Sequence, residues 1–262
     1  MAKDKPNAET QPKKFGTFGG VFTPSVLTIL GVILFLRYDV VIGNAGLWGA
    51  LMILLLAKLF TFITTLSLSS ISTNMQVKGG GSYYLISRSI GVEFGGVIAV
   101  FFYIALALSV AMYVIGFTEA LLLAFPELNH SFTMVATLTN IVVFIFVYIG
   151  AGWTIRVQYG IMALLLLAIG SYVFGAWQQA SPELLSKNLQ PDWTAGHSFF
   201  TIFALFFPAV TGIMAGVNMS GDLKSPSRSI PQGTFLAIGF TLLIYAGIAI
   251  LMAASSPREN LF

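Results

Sequence analysis

Apolar residues run along this chain in unbroken stretches, and the polar positions gather between them. Seven stretches, near residues 21–42, 47–71, 94–125, 132–152, 157–178, 198–220 and 231–255, each approach or exceed the ~20 residues a helix needs to cross a bilayer. Barrel strands would alternate apolar and polar positions, and these do not. The pattern predicts an all-α polytopic membrane protein with seven transmembrane helices.

Two of the stretches carry residues that weaken or break helices. The first reads "GGVFTPSVLTILGVILFLR" from Gly19 to Arg37, with Pro24 and a central Gly31. The sixth contains "FFPAVTGIMAGVNMSGD" from Phe206 to Asp222, with Pro208, Gly212 and Gly216. Gly31-Val32-Ile33 in one answers Gly212-Ile213-Met214 in the other. Five spans separate the two, the offset expected of a repeated five-helix unit of inverted topology. Paired Gly/Pro-interrupted spans at corresponding places point to a transporter binding site. Unwinding a helix inside a membrane frees N–H and C=O groups that lipid cannot satisfy, so such a break is tolerated where it lines a cavity. Freed N–H groups attract anions and freed carbonyls attract cations. The bland alternatives are close helix packing through glycine and a simple proline kink.

Composition agrees with a lipid solvent: 56% of residues are hydrophobic and 9% charged, where a soluble domain carries roughly a quarter charged residues. The net charge of +3 includes no long basic tract, which excludes nucleic acid as a partner. Cys is absent, so disulfides and thiolate metal sites are excluded. Basic residues fall on alternate connections: Lys3, Lys5, Lys13 and Lys14 before the first span, Lys78 and Arg88 after the second, Arg156 after the fourth, and Lys224 and Arg228 after the sixth. That asymmetry predicts a cytoplasmic N-terminus, with residues 1–14 as a cytoplasmic tail. Arg37 is expected to snorkel to the interface or to pair with Asp39.

The spans read as almost empty of ionisable groups. Glu119 lies towards the outer end of the third, and no Asp, Glu, His, Lys or Arg is expected at a span centre, which counts against a proton relay. No nucleophile–base pair or metal-ligand constellation supports an enzyme, and no cofactor is expected. "VKGGGSYYLISRS" places Gly79, Gly80 and Gly81 where the chain leaves the second span, and predicts a turn into a short amphipathic helix bearing Tyr84 and Arg88. It lacks the Lys-Ser/Thr of a phosphate loop. Asp222 with Arg228, at the inner mouth of the sixth span, is a candidate gate pair against a background of solvated loop charge.

Several long motifs resemble the cation–chloride cotransporters. They are "GVILFLR" followed by "VIGNAG", "STNMQVKGGGSYYLISRSIGVEFGG" at 72–96, "AMYVIGFTEAL" at 111–121 and "FFPAVTGIMAGVNMSGDLKSPSRSIPQGT" at 206–234. Together they cover most of residues 15–256, in order. That family belongs to the amino acid–polyamine–organocation superfamily, so the resemblance implies a LeuT-like fold of two inverted five-helix repeats with the first and sixth helices discontinuous. It implies a transport domain over 15–256, with the first repeat at about 15–180 and the start of the second at about 198–256. It implies electroneutral symport of chloride with potassium, sodium or both. Carried over by position, the potassium ligands would be Tyr113, Pro208, Thr211, Thr28 and Ile29. One chloride would meet the amides of Gly31, Val32 and Ile33, and a second those of Gly212, Ile213 and Met214. Thr28 stands where many members have Asn.

The same resemblance would place three more spans after the seventh, so residues 257–262 read as a truncated end and the chain as incomplete. The expected setting is a plasma or cell membrane, with lipid and inorganic ions as partners and a homodimer or a longer transporter as a further one. Two other functions stay open. An amino-acid or amine permease would use the same half-helix amides for its substrate carboxylate. A truncated subunit would bind a full-length partner and carry nothing.

Overall fold

The computed structural model describes residues 14–75, 77–149, 151–193 and 196–261. Of the tail expected at 1–14, residues 1–13 lie outside the described residues. The described chain is helical: α1 (Thr23–Ile29), α2 (Val32–Leu36), α3 (Tyr38–Asn74), α4 (Gly81–Ser89), α5 (Val92–Ala124), α6 (Phe132–Ile149), α7 (Ala151–Gln179), α8 (Pro182–Asn188), α9 (Phe199–Phe206), α10 (Met214–Asn218) and α11 (Pro226–Ser255). A π-helical turn, Phe18–Phe22, leads into α1, and a 3-10 turn, Phe207–Val210, follows α9. Seven stretches among the described residues are long and apolar enough to cross a membrane: Phe18–Leu36, Tyr38–Asn74, Val92–Ala124, Phe132–Ile149, Ile155–Gln179, Phe199–Asn218 and Pro226–Ser255.

The expected division between the first two spans, at 43–46, coincides with a break at Gly46 (φ 63°, ψ 175°) inside helical backbone that runs from Tyr38 to Asn74; a further break falls earlier, at Arg37 (φ −142°, ψ −5°). A side chain at Gly46 would place its Cβ 2.4 Å from the Gln190 carbonyl oxygen. The kink therefore needs glycine both for its left-handed φ and for the loop pressed against it. That loop is tied on by Trp48 N–H to Leu189 O (3.3 Å) and Asp192 N–H to Asn44 O (2.8 Å). Arg258 closes the same end, its guanidinium donating to the carbonyls of Gly43, Lys187 and Gln190.

The core forms where α3 and α11 run against each other and against α1 and α9. Ala50 and Ala57 of α3 and Ala237, Ala249 and Ala253 of α11 are fully buried. Small residues let membrane helices approach closely where apolar burial alone gives no drive. Val21 seats itself between Gly216 and Gly233, where an added Cβ would lie 2.4 and 2.6 Å from its side chain. By contrast α6 buries no residue, and α5 exposes Phe101, Tyr103 and Leu108. Such apolar surface suits lipid.

The two ends of the bundle differ in charge. At one, Phe15 pairs with the backbone of Asp222 and Lys224, and Gly79 packs against Gly221. This end therefore gathers the tail, the second-to-third connection and the sixth-to-seventh, with Lys14, Lys78, Lys224 and Arg228. The other end gathers Asn44, Gln190, Asp192 and Arg258. The turn after the second span is the predicted one: Gly80 and Gly81 have positive φ, and α4 follows with Arg88 stacked 5.7 Å over the Tyr84 ring.

Candidate functional site

Helix α1 ends at Ile29, and α2 starts at Val32 after Leu30 (φ −83°, ψ 49°) and Gly31 (φ −95°, ψ −153°). After α9 and its 3-10 turn, Thr211 is extended (φ −73°, ψ 170°) and Gly212 has φ 111°, before α10 resumes. The non-helical residues of the two stretches lie together. A Cβ on Gly212 would fall 2.7 Å from Thr28 Cγ2 and 3.4 Å from the Ile29 nitrogen. Gly31 lies against Tyr113 of α5, where a Cβ would sit 3.2 Å from the ring.

A cavity of about 720 Å³ opens between these stretches, α3 and α5. Thr28, Tyr113, Thr211, Gly212, Ile213 and Met214 line it. Of the other residues expected at the site, Ile29 is buried behind the cavity wall, and Pro208, Gly31, Val32 and Ile33 lie outside its lining. The Tyr113 hydroxyl is 3.5 Å from the Thr28 carbonyl, a long contact. Thr28 Oγ1 donates to Pro24 O (2.7 Å), and Thr211 Oγ1 to Pro208 O (2.7 Å). Both hydroxyls thus spend their proton on their own backbone and leave oxygen lone pairs for a cation. The first N–H groups of α2 and of α10 have no acceptor within those helices.

Tyr245 of α11 joins the two stretches from behind. Its hydroxyl reaches Ile29 O (2.9 Å) and Ala209 O (3.3 Å), and its own carbonyl accepts from Tyr38 Oη (3.0 Å). Tyr38, Phe206 and Tyr245 pack ring on ring in a fully buried cluster. Beside it lies Lys58, 4% exposed in the middle of the second span, donating from Nζ to Thr241 Oγ1 (2.7 Å). Lys58 corrects the expectation of spans almost empty of ionisable groups. It is visible in the sequence as one cation inside "LMILLLAKLFTFITT".

Other functional candidates escaped the sequence reading. Thr61, Thr64, Ser109 and Asn218 also line the cavity. The first two belong to a polar stripe in "TFITTLSLSS", a visible signal. A second cavity of about 330 Å³, bounded by Gly80, Gly81 and Tyr83, shares Phe102, Leu106 and Asn218 with the first. The two cavities thus meet at a shared wall of side chains, with the second on the Lys78 side. Towards the other end, Arg37 pairs with Glu119 (3.2 Å) rather than Asp39, whose carboxylate accepts from Val40 N–H. Among the described residues, Asp222 and Arg228 form no ion pair. Asp222 ends a 3-10 turn whose carbonyl holds Phe15, and Arg228 begins α11; both are exposed.

Seven stretches long and apolar enough to span a bilayer describe a polytopic membrane protein, and residues of the first, second, third and sixth line an uncharged, mostly apolar cavity that carries a few hydroxyl groups; its class is a transporter rather than an enzyme. The amino acid permease family model matches residues 20–261, and the chain belongs to that family. It is 40% identical over 265 residues to human solute carrier family 12 member 2, covering 94% of this chain and 22% of that protein. It is 39% identical over 278 residues to mouse solute carrier family 12 member 1, covering 99% of this chain and 25% of that protein. The spiny dogfish (Squalus acanthias) member 2 is 41% identical over 94% of this chain and 22% of its own length. The chain therefore spans about a quarter of the length of these relatives, and the resemblance read from its motifs stands.

Proposed function

We propose that the chain forms part of a secondary transporter that moves chloride together with an alkali cation, potassium or sodium, electroneutrally. In this reading it holds the first five-helix repeat and the start of the second repeat of a LeuT-like fold. The observation that carries the reading is the convergence of Thr28, Tyr113, Thr211 and Gly212 on one uncharged cavity between two interrupted helices. The hydroxyls of Tyr113, Thr28 and Thr211 in the lining suit a large, weakly hydrated cation, and the carbonyls of Ile29 and Pro208, which lie outside the lining, would complete the ligand set. The amides of Gly31, Val32 and Ile33, and those of Gly212, Ile213 and Met214, suit chloride.

The basic end of the bundle is the cytoplasmic one in this reading. The cavity then opens inward past Gly80 and Tyr83, with the Arg37–Glu119 pair on the outer side. Alternating access would open that pair and close the inner mouth.

The test is chloride-dependent uptake of radiolabelled rubidium into vesicles carrying the chain. Tyr113→Phe removes one oxygen ligand and should lower uptake about tenfold or more, as expected for a contact to a charged group. A second reading is favoured by the family match itself: an amino-acid permease whose substrate carboxylate sits on the same amides. Amino-acid uptake without rubidium uptake would overturn the ion reading in its favour. No uptake of either, with a longer paralogue co-purifying, would make the chain a non-transporting subunit.

A further inference from the structure

We propose that Lys58 selects ions by charge: its ammonium, fixed behind the two interrupted helices, weakens their carbonyls' hold on a cation and strengthens the cavity's hold on an anion. The inference rests on the ion-transport reading above and deepens it.

The geometry is a short relay. Lys58 Nζ donates to Thr241 Oγ1, whose own proton goes to Ala237 O (2.7 Å). The same nitrogen lies 5.8 Å from the centroid of the Tyr245 ring. At the far end of that ring, the hydroxyl donates to Ile29 O, with Ala209 O as a second, longer acceptor, one carbonyl from each interrupted stretch. On its own helix, the Lys58 carbonyl accepts from Thr61 Oγ1 (3.0 Å), and Thr61 lines the cavity. Lys58 is thus one residue removed from the cavity through Thr61, and it reaches the backbone of both interrupted stretches through Tyr245.

No described carboxylate balances it in its protonated form. The ion pairs among the described residues are Arg37–Glu119 and Lys187–Glu183, and neither includes Lys58. A buried charge is costly unless paired, and inside a membrane such groups mark function. A hydroxyl oxygen and a ring face supply part of the compensation. An anion in the neighbouring cavity would supply the rest. A cation there would add to the imbalance. Two unit charges about 10 Å apart, at an effective dielectric near 20, shift a binding constant by roughly tenfold.

Lys58 acts through Tyr245 and through space, as a positioning residue, so the test needs a readout that lost structure would not imitate. The purified 262-residue chain would be melted in detergent. Rubidium would be varied against N-methylglucamine at fixed chloride, and chloride against gluconate at fixed rubidium. In Lys58→Met the half-saturating rubidium concentration should fall and that for chloride should rise, each about tenfold. Lys58→Arg, which keeps the charge, should stay near the parent values. If the methionine variant gives no cooperative melt, Lys58→Gln, which can still bond Thr241, carries the same expectation. Shifts of both ions in one direction, or of neither, overturn the proposal and leave the transport reading intact. A parent melting point indifferent to both ions overturns the transport reading and this proposal with it.

Discussion

At the scale of single residues, the site depends on one glycine more than on its hydroxyls. Gly212 has φ 111°, and it meets Thr28 where any Cβ would stand 2.7 Å from a methyl carbon. A side chain there faces both a conformational penalty of about 1–3 kcal/mol and a clash between the two interrupted stretches. Gly212→Ala should therefore lower rubidium uptake more than Thr211→Ser does, because the serine keeps an oxygen in place. Equal uptake by the two variants would show that the approach of the two stretches is not what builds the site. The sequence made Gly212 readable, because glycine and proline close together inside an apolar run signal a break in its helix. Tyr245 was not readable. A tyrosine in "FTLLIYAGIAILM" looks like ordinary membrane packing until the fold brings its hydroxyl to carbonyls 216 and 36 residues away. Lys58 was readable, since a cation inside an apolar run is rare on composition alone.

At the scale of elements, the apolar runs located the helices and the punctuation misplaced some of their ends. The seventh span begins at Pro226 rather than near 231: proline at a first helical position needs no N–H partner, and the helix then carries Pro231 in its interior. The runs at 21–42 and 47–71 marked the single-residue turn at Gly46, but the first passed over the break at Arg37, where no glycine or proline signals it. Gly46→Ala tests that turn. The φ of 63° and the Gln190 carbonyl both oppose a methyl group, so the variant should lose about 1–3 kcal/mol and melt several degrees lower in detergent. An unchanged melting point would mean that α3 can run straight without the loop at 189–192. Glu119 shows the same limit of local reading. Its partner Arg37 is 82 residues away, and the nearer candidate, Asp39, is already held by Val40 N–H. If this pair closes the outer side, Arg37→Glu should depress uptake and Arg37→Glu with Glu119→Arg should recover much of it. Equal loss in the single and double variants would mean that the two residues act independently.

For the whole molecule, orientation follows from charge and can be read thiol by thiol. The chain has no cysteine, so any cysteine introduced is the sole target of a membrane-impermeant reagent. The structure gathers Lys14, Lys78 and Lys224 with Phe15 and Gly221 at one end, and Gly46, Gln190 and Arg258 at the other. Basic connections stay on the cytoplasmic side because translocating them is unfavourable. Cysteines at Lys78 and Ser227 should then be protected in intact cells and label only after permeabilisation. Cysteines at Glu127 and Glu183 should label from outside. The pairs matter more than any single site: 78 and 227 must behave alike, since Gly79 packs on Gly221 and Lys78 and Ser227 line one surface hollow. Labelling of 78 and 227 from outside with 127 and 183 protected would invert the molecule, and would turn the central cavity's open mouth towards the exterior. Mixed labelling within a pair would contradict the packing of the ends. The expected result places the cavity at Gly80 and Tyr83 on the cytoplasmic side and the Arg37–Glu119 pair on the opposite one.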